Sequence, residues 1–191
     1  MKYKVKVLLA STRPGRKGPA LAKWIVDALE EYSELDVELL DLKDVDLPFL
    51  DEAAHPRLKQ YQNDHTLLWS ETIDEADAYV FVTAEYNHVP PPTLQNALNF
   101  LHQEWAEKPV GFVSYGGVSG GTRAVDALIP VLTTLRMMPL PQAVNVPFFS
   151  QYIDENHHFQ PTEVQIQAAH NMIEHLIRWT AALKRMRENE K

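Results

Sequence analysis

Cysteine is absent from the 191 residues. That excludes a disulfide framework, a thiolate metal site and a cysteine nucleophile, and it suits a reducing cytoplasm. Basic residues are outnumbered, 18 Lys and Arg against 26 Asp and Glu, for a formal net charge of −8. A nucleic-acid partner needs a broad basic face, so none is expected. No run approaches the roughly 18 consecutive apolar residues of a membrane span. The first residues pass directly into a short apolar strand, without the longer apolar stretch and small-residue cleavage site of a signal peptide. No membrane partner is expected, and a cytoplasmic location is. The eight histidines are scattered and include no H-E-x-x-H pair, so no metal site is expected. Glycine is scarce, seven in all, and four of the seven fall at positions 116, 117, 120 and 121.

The length fits one domain, 1–191, on the usual prior of roughly 100–200 residues per domain. Five short apolar stretches read as strands, at residues 4–10, 36–40, 78–83, 109–114 and 143–146. Tyr79-Val80-Phe81-Val82 and Val110-Gly111-Phe112-Val113 are near-continuous apolar runs, the pattern of strands covered on both faces. Helical periodicity fills the intervals. Ala20, Leu21, Trp24, Ile25, Ala28 and Leu29 form one stripe, and Pro56 suits the first turn of a second helix running from about 56 to about 75. Thr93 is placed to cap a third, a fourth begins near Thr122 with Pro130 inside it, and the last opens near Pro161. Its charged tail, from about residue 184, is expected to fray. Helix packing in the core or an interface accounts for Trp24, Trp69, Trp105 and Trp179. Residues 42–55 and 147–160 are irregular and longer than the usual connection.

Alternating strands and helices imply an α/β doubly wound parallel sheet, five strands in the order 2-1-3-4-5. Ligands of such sheets bind outside the carboxyl ends of the strands, where the strand order reverses. The loop after strand one, Ser11-Thr12-Arg13-Pro14-Gly15-Arg16-Lys17-Gly18-Pro19, carries three cations into the start of a helix. At that position it favours an anion over a merely solvated turn. It matches neither G-x-x-x-x-G-K-[ST] nor G-x-G-x-x-G, so a monophosphate is more natural than a triphosphate. The loop after strand three, Thr83 to Pro92, offers Tyr86 and polar groups to a flat hydrogen-bonding ring, with Pro90, Pro91 and Pro92 fixing its shape. The loop after strand four, Ser114 to Thr122, holds the four clustered glycines, whose backbone N–H groups suit ring carbonyls.

Together these loops resemble the NADPH-dependent FMN reductase family of flavodoxin-like proteins, which includes quinone and azo-dye reductases. The family's G-S-x-R loop reads here Ala10-Ser11-Thr12-Arg13. Its P-E-Y-N loop reads Ala84-Glu85-Tyr86-Asn87, followed by Pro91-Pro92-Thr93-Leu94-Gln95-Asn96-Ala97-Leu98-Asn99, and its glycine loop reads Ser114-Tyr115-Gly116-Gly117-Val118-Ser119-Gly120-Gly121. The leading glycine is Ala10, the proline before Glu85 is Ala84, and the glycine after Pro91 is Pro92.

The resemblance implies a three-layer αβα sandwich with bound FMN. NAD(P)H would reduce the flavin, which would pass electrons to a small acceptor: a flavin, quinone, azo dye or metal ion. It implies that Ser11, Arg13 and the segment Arg16, Lys17, Gly18, Pro19 and Ala20 hold the phosphate. Glu85, Tyr86 and Asn87 would line the isoalloxazine, and Ser114, Gly116, Gly117 and Gly121 would face its pyrimidine side. Arg16 and Lys17 stay open between the FMN phosphate, an NADPH phosphate and water. No side chain is required as acid, base or nucleophile. A homodimer or homotetramer, with the flavin near a subunit interface, follows by the same resemblance. Two other readings compete. One is a flavodoxin-like electron carrier without NAD(P)H oxidation. The other is a serine hydrolase, because Gly117-Val118-Ser119-Gly120-Gly121 matches the G-x-S-x-G elbow. That second reading needs Asp154 with His157, His158, His170 or His175 as partners.

Overall fold

The computed structural model describes residues 2–189. Its centre is a parallel sheet of β1 (Tyr3–Leu9), β2 (Leu35–Asp41), β3 (Ala78–Ala84), β4 (Pro109–Gly116) and β5 (Met138–Pro147), in the order β2-β1-β3-β4-β5. This is the doubly wound order that the alternating pattern demands. Side-chain alternation along each strand divides the core in two. Val5, Val7, Val80, Val82, Val113 and Val144 face one side, where Leu21 and Ile25 of α1 (Gly18–Glu30) and Met172 and Leu176 of α6 (Glu163–Asn189) cover them. Leu8, Tyr79, Phe81 and Phe112 face the other. There Trp69 and Ile73 of α3 (Asp64–Asp74), Leu94 and Leu98 of α4 (Pro92–Asn99) and Leu128 and Leu132 of α5 (Thr122–Thr134) close over them. The short α2 (Leu42–Val45) follows β2 directly. Every residue of β3 and β4 is buried, which is why both read as unbroken apolar runs.

Three local expectations change. The helix expected from Pro56 begins instead at Asp64, after a single 3₁₀ turn over Pro56–Leu58. The Glu52 carboxylate accepts from the backbone N–H groups of Gln62 and Asn63, so a residue outside the helix meets its start. Tyr61 and Ser70 donate to the fully buried Glu104, at 3.0 and 2.7 Å, which fixes the chain between the two turns. Thr93 lies inside α4, whose cap position is Pro91, and its hydroxyl donates to the carbonyl of Ala10 instead. β5 starts five residues before Ala143. Pro139 and Pro141 disguise it, and an edge strand tolerates them because it has an unpaired side. Finally, α6 continues as far as Asn189. Within its charged tail Lys184 and Arg187 both pair with Asp77 at the start of β3, at 2.9 and 3.3 Å. Positions 190–191 of the expected tail lie outside the described residues.

Candidate functional site

The carboxyl ends of β1, β3 and β4 open into a cavity of about 530 Å³, within the roughly 300–1,000 Å³ usual for small-molecule sites. Its wall is made by Arg13, Arg16 and Lys17 from the first loop, Ala84 to Asn87 from the second, Tyr115 to Gly117 from the third, and Phe149. Parallel strands put all three loops on one edge of the sheet, so residues about 70 and 100 positions apart converge.

The three cations of the first loop are not equivalent. Arg16 is partly buried and forks onto both carboxylate oxygens of Asp41, at the end of β2, one contact being 2.6 Å. The same guanidinium donates to the carbonyl of Ser11. Arg16 therefore braces the loop from beneath. Arg13 is exposed at the cavity wall; its carbonyl accepts from the Arg16 N–H, and no hydrogen bond or ion pair joins its guanidinium to another described residue. The Lys17 ammonium turns away toward Nδ1 of His157, 3.2 Å distant.

Behind these residues the loop is tightly fitted. Ser11 is fully buried, and its Oγ accepts from the Tyr115 hydroxyl at 3.0 Å. Burial pushes the Tyr115 phenol up to about 12, so it stays neutral. Gly18 closes the space beside that pair: a Cβ there would lie 2.6 Å from both Ser11 Oγ and Tyr115 Oη. Glycine is needed at 18 for close approach, not for an unusual backbone angle.

The second loop is a tight hairpin tip. Tyr86 and Val89 exchange two backbone hydrogen bonds, of 2.9 and 3.1 Å, across Asn87 and His88, which both have positive φ. Asn and His visit that left-handed region more readily than most residues. His88 is further held by Arg123, 3.1 Å away. Glu85, just before the tip, is largely buried. Its N–H donates to the Tyr115 carbonyl, and its carboxylate accepts from Ser119 Oγ at 2.7 Å with Arg123 at 3.6 Å. The second and third loops are thus one bonded unit.

In the third loop Gly120 and Gly121 have φ of +60° and +86°. A Cβ on Gly121 would come within 2.6 Å of the Tyr115 backbone nitrogen. These two glycines fold the chain back. Gly117 instead opens onto the cavity, and a Cβ added there would meet nothing within 4 Å. Ser114 is buried, with its hydroxyl on the Gly120 carbonyl and the Asn145 amide at 2.8 and 2.9 Å.

The structure therefore brings Arg13, Arg16, Lys17, Glu85, Tyr86, Asn87, Gly116 and Gly117 around one cavity. Ser11, Gly18, Ser114 and Gly121 stand behind its wall as supports, and Pro19 and Ala20 line a neighbouring depression. Sequence reasoning did not assign Phe149 or Asp41. Phe149 falls in the irregular stretch after β5 and meets the edge of the Tyr115 ring at 5.1 Å. Nothing near Asp41 in sequence signals its partner 25 positions earlier.

Ser119 does not present a hydrolytic arrangement: its hydroxyl is given to Glu85. The histidines required as its partner are engaged elsewhere, His157 with Lys17, His158 with Asp154, His170 with Tyr32 and His175 with the Asn171 carbonyl. Among the described residues no group of three His, Asp or Glu side chains is placed to hold a metal, and no helix is long and apolar enough to cross a membrane.

The family model of NADPH-dependent FMN reductases matches residues 3–151, the span that contains all three loops. A Schizosaccharomyces pombe protein named NAD(P)H-dependent FMN reductase is 35% identical over 147 residues, covering 75% of this chain and 74% of its own. A Saccharomyces cerevisiae protein of the same name is 34% identical over 145 residues, 70% of this chain and 75% of its own. The solved structure of FerB, an NAD(P)H:(acceptor) oxidoreductase from Paracoccus denitrificans, shares the fold at a TM-score of 0.73 and 21% identity, covering 94% of this chain and 98% of that one.

Proposed function

The chain belongs to the NADPH-dependent FMN reductase family, and from that premise we propose how its own residues hold FMN and admit NAD(P)H and an acceptor. The cavity suits the group: its volume of about 530 Å³ lies in the range of small-molecule sites, and its lining joins the cations Arg13, Arg16 and Lys17 to the amide of Asn87 and the backbone of Gly116 and Gly117. When bound, the flavin supplies the redox chemistry, taking hydride from NAD(P)H and releasing electrons to the acceptor.

Arg13 is the phosphate ligand, since it reaches the cavity with its donors uncommitted. Arg16, held by Asp41, keeps the loop around that phosphate and adds positive potential without moving. Ser11, Gly18 and Tyr115 set the depth of the floor. Tyr86 and Asn87 line one side of the ring, held by the rigid tip, and Gly116 and Gly117 let the backbone approach its polar edge. Phe149 and Tyr115 exclude water from the lower end. Glu85 acts as a strut between the two loops, braced by Ser119 and Arg123. No side chain has to transfer a proton or form a covalent bond.

The acceptor in this proposal is small: a flavin, quinone, azo dye or metal ion. We also propose a homodimer or homotetramer. Phe49, Leu58 and Leu68 support it, being 85, 59 and 66% exposed, large apolar side chains that a second copy would cover. A cytoplasmic location belongs to the same reading, because NAD(P)H is an intracellular reductant. The single observation that carries the function is the meeting of Arg13, Tyr86 and Gly117 at one cavity on the carboxyl edge of the sheet. Its test is FMN titration of apoprotein: wild type binds one FMN per chain, and saturation at no concentration would contradict the reading.

A further inference from the structure

Beyond Arg16 and Lys17 the cavity wall does not end in open surface. The same two residues begin a second depression of about 260 Å³, which runs over Pro19 and Ala20 to His157. It continues into a third of about 330 Å³ between the first turns of α1 and the chain before α6, with Trp24, His157 and Phe159 among its walls. The three volumes share residues in sequence, so they form one trench leading away from the flavin cavity.

The far end of the trench is built rather than loose. Trp24 is partly exposed and stands edge-on against the buried Phe159, ring centroids 5.1 Å apart. The opposite wall is a turn gathered on one carboxylate. Asp154 accepts from the N–H groups of Asn156 and His158 and from the Gln160 amide, at 2.8 to 2.9 Å. That turn holds His157 in a left-handed conformation, φ +63°, with its ring against Lys17. Among the described residues Lys17 pairs with no carboxylate, unlike Arg16 with Asp41 and Lys23 with Asp27. A flat apolar shelf thus lies beside a cation and an imidazole that share no anion.

We propose that this trench is the binding site for the adenosine 2′-phosphate end of NADPH, with adenine on the Trp24 shelf and the 2′-phosphate at Lys17 and His157. The inference rests on the flavin reading of the first cavity, because the nicotinamide must reach that cavity while the rest of the dinucleotide leaves it. The trench offers a continuous exit, and its chemistry, an aromatic wall plus an ammonium that pairs with no described carboxylate, is that of a purine and a phosphate. Binding energy from this remote end would serve to seat the nicotinamide, so it would appear in KM rather than in the chemical step. It also assigns Lys17 to the co-substrate and leaves the FMN phosphate to Arg13.

The test uses FMN-loaded protein titrated with adenosine 2′,5′-bisphosphate in a calorimeter, which reads wild type and every variant alike. The expected result is saturable binding in wild type, with dissociation constants raised about tenfold or more in Trp24→Leu and His157→Gly. Lys17→Ala should lose the preference for the bisphosphate over 5′-AMP. Glycine keeps the positive φ at 157, and retained FMN with an unchanged circular dichroism spectrum shows that each variant is folded. The same two variants should raise KM for NADPH while leaving reduction by reduced nicotinamide mononucleotide, which lacks the adenosine end, within about twofold of wild type. Equal bisphosphate affinity in wild type and variants, or none in wild type, would overturn the proposal. So would a fall in oligomer mass in the variants, which would mean that a second copy covers the trench. A chain that takes up no FMN yet binds the bisphosphate at Trp24 would sink the flavin reading alone.

Discussion

Arg13, Arg16 and Lys17 look alike in sequence, three cations within five positions, yet each has a different neighbour in the fold. Arg13→Ala should weaken FMN binding about ten- to a hundredfold, the loss of a charge-assisted hydrogen bond worth about 1.5–3 kcal/mol. FMN titration monitored by flavin fluorescence measures it, and an unchanged affinity would remove Arg13 as phosphate ligand. Gly18→Ala addresses the floor of the same site. The added methyl meets Ser11 Oγ and Tyr115 Oη at 2.6 Å and Leu9 at 2.7 Å, all buried, so overpacking should cost about 1–3 kcal/mol. Urea unfolding should show a lowered midpoint, and a midpoint equal to wild type would mean that the pocket floor gives way freely. The cavity-lining set was legible where a residue's role follows from its loop: Tyr86, Asn87, Gly116 and Gly117 reach the wall. The contacts of Ser11, Ser114 and Arg16 with Tyr115, Asn145 and Asp41 were not, because they form only after distant strands align. A hydroxyl at the end of a strand reads the same whether it faces a ligand or its own core.

Among the elements, those set by local pattern were readable and those set by long-range bonds were not. The buried strands β3 and β4 announce themselves by continuous apolar runs, and α1 by its stripe. The start of α3 meets Glu52, and the charged tail of α6 meets Asp77, neither of which has a local signature. The edge opposite the site, where the strands begin, is knit by charge. Glu75, just past α3, accepts from Lys4 at 2.8 Å and from the nearly buried Lys6, and hydrogen bonds from these two lysines lower its pKa from 4.5 to about 2. A carboxylate depressed in the folded state binds fewer protons there than in the unfolded chain between those values. Its contribution is therefore complete above about pH 4.5 and is lost as the pH falls to about 2. Glu75→Gln should lower thermal stability at neutral pH modestly, because the side chain is 42% exposed and solvent-screened. It should also flatten the decline of melting temperature below pH 4.5. A variant whose melting temperature falls with acid as steeply as wild type would show that other carboxylates govern that edge.

At the scale of the whole molecule, the doubly wound order follows from the alternation of strands and helices, and it places any ligand at one edge before a single side chain is known. What a single chain does not announce is the surface it shares. Phe49 and Leu50 sit on a segment tied to α4 through Asn96, which donates to the Pro48 carbonyl and accepts from the Leu50 N–H. That segment is held in place while its apolar side chains stay outside. Sedimentation should show more than one chain per particle, and Phe49→Asp with Leu68→Asp should shift the particle toward the single chain. A wild-type monomer would contradict the assembly and leave the flavin site untouched. The central claim is that FMN sits where the three loops meet and is reduced there by NAD(P)H. Its most direct measurement is the visible absorbance of the purified protein, recorded anaerobically before and after NADPH is added. The predicted result is a flavin band that NADPH bleaches; a colourless protein that takes up no added FMN would contradict it.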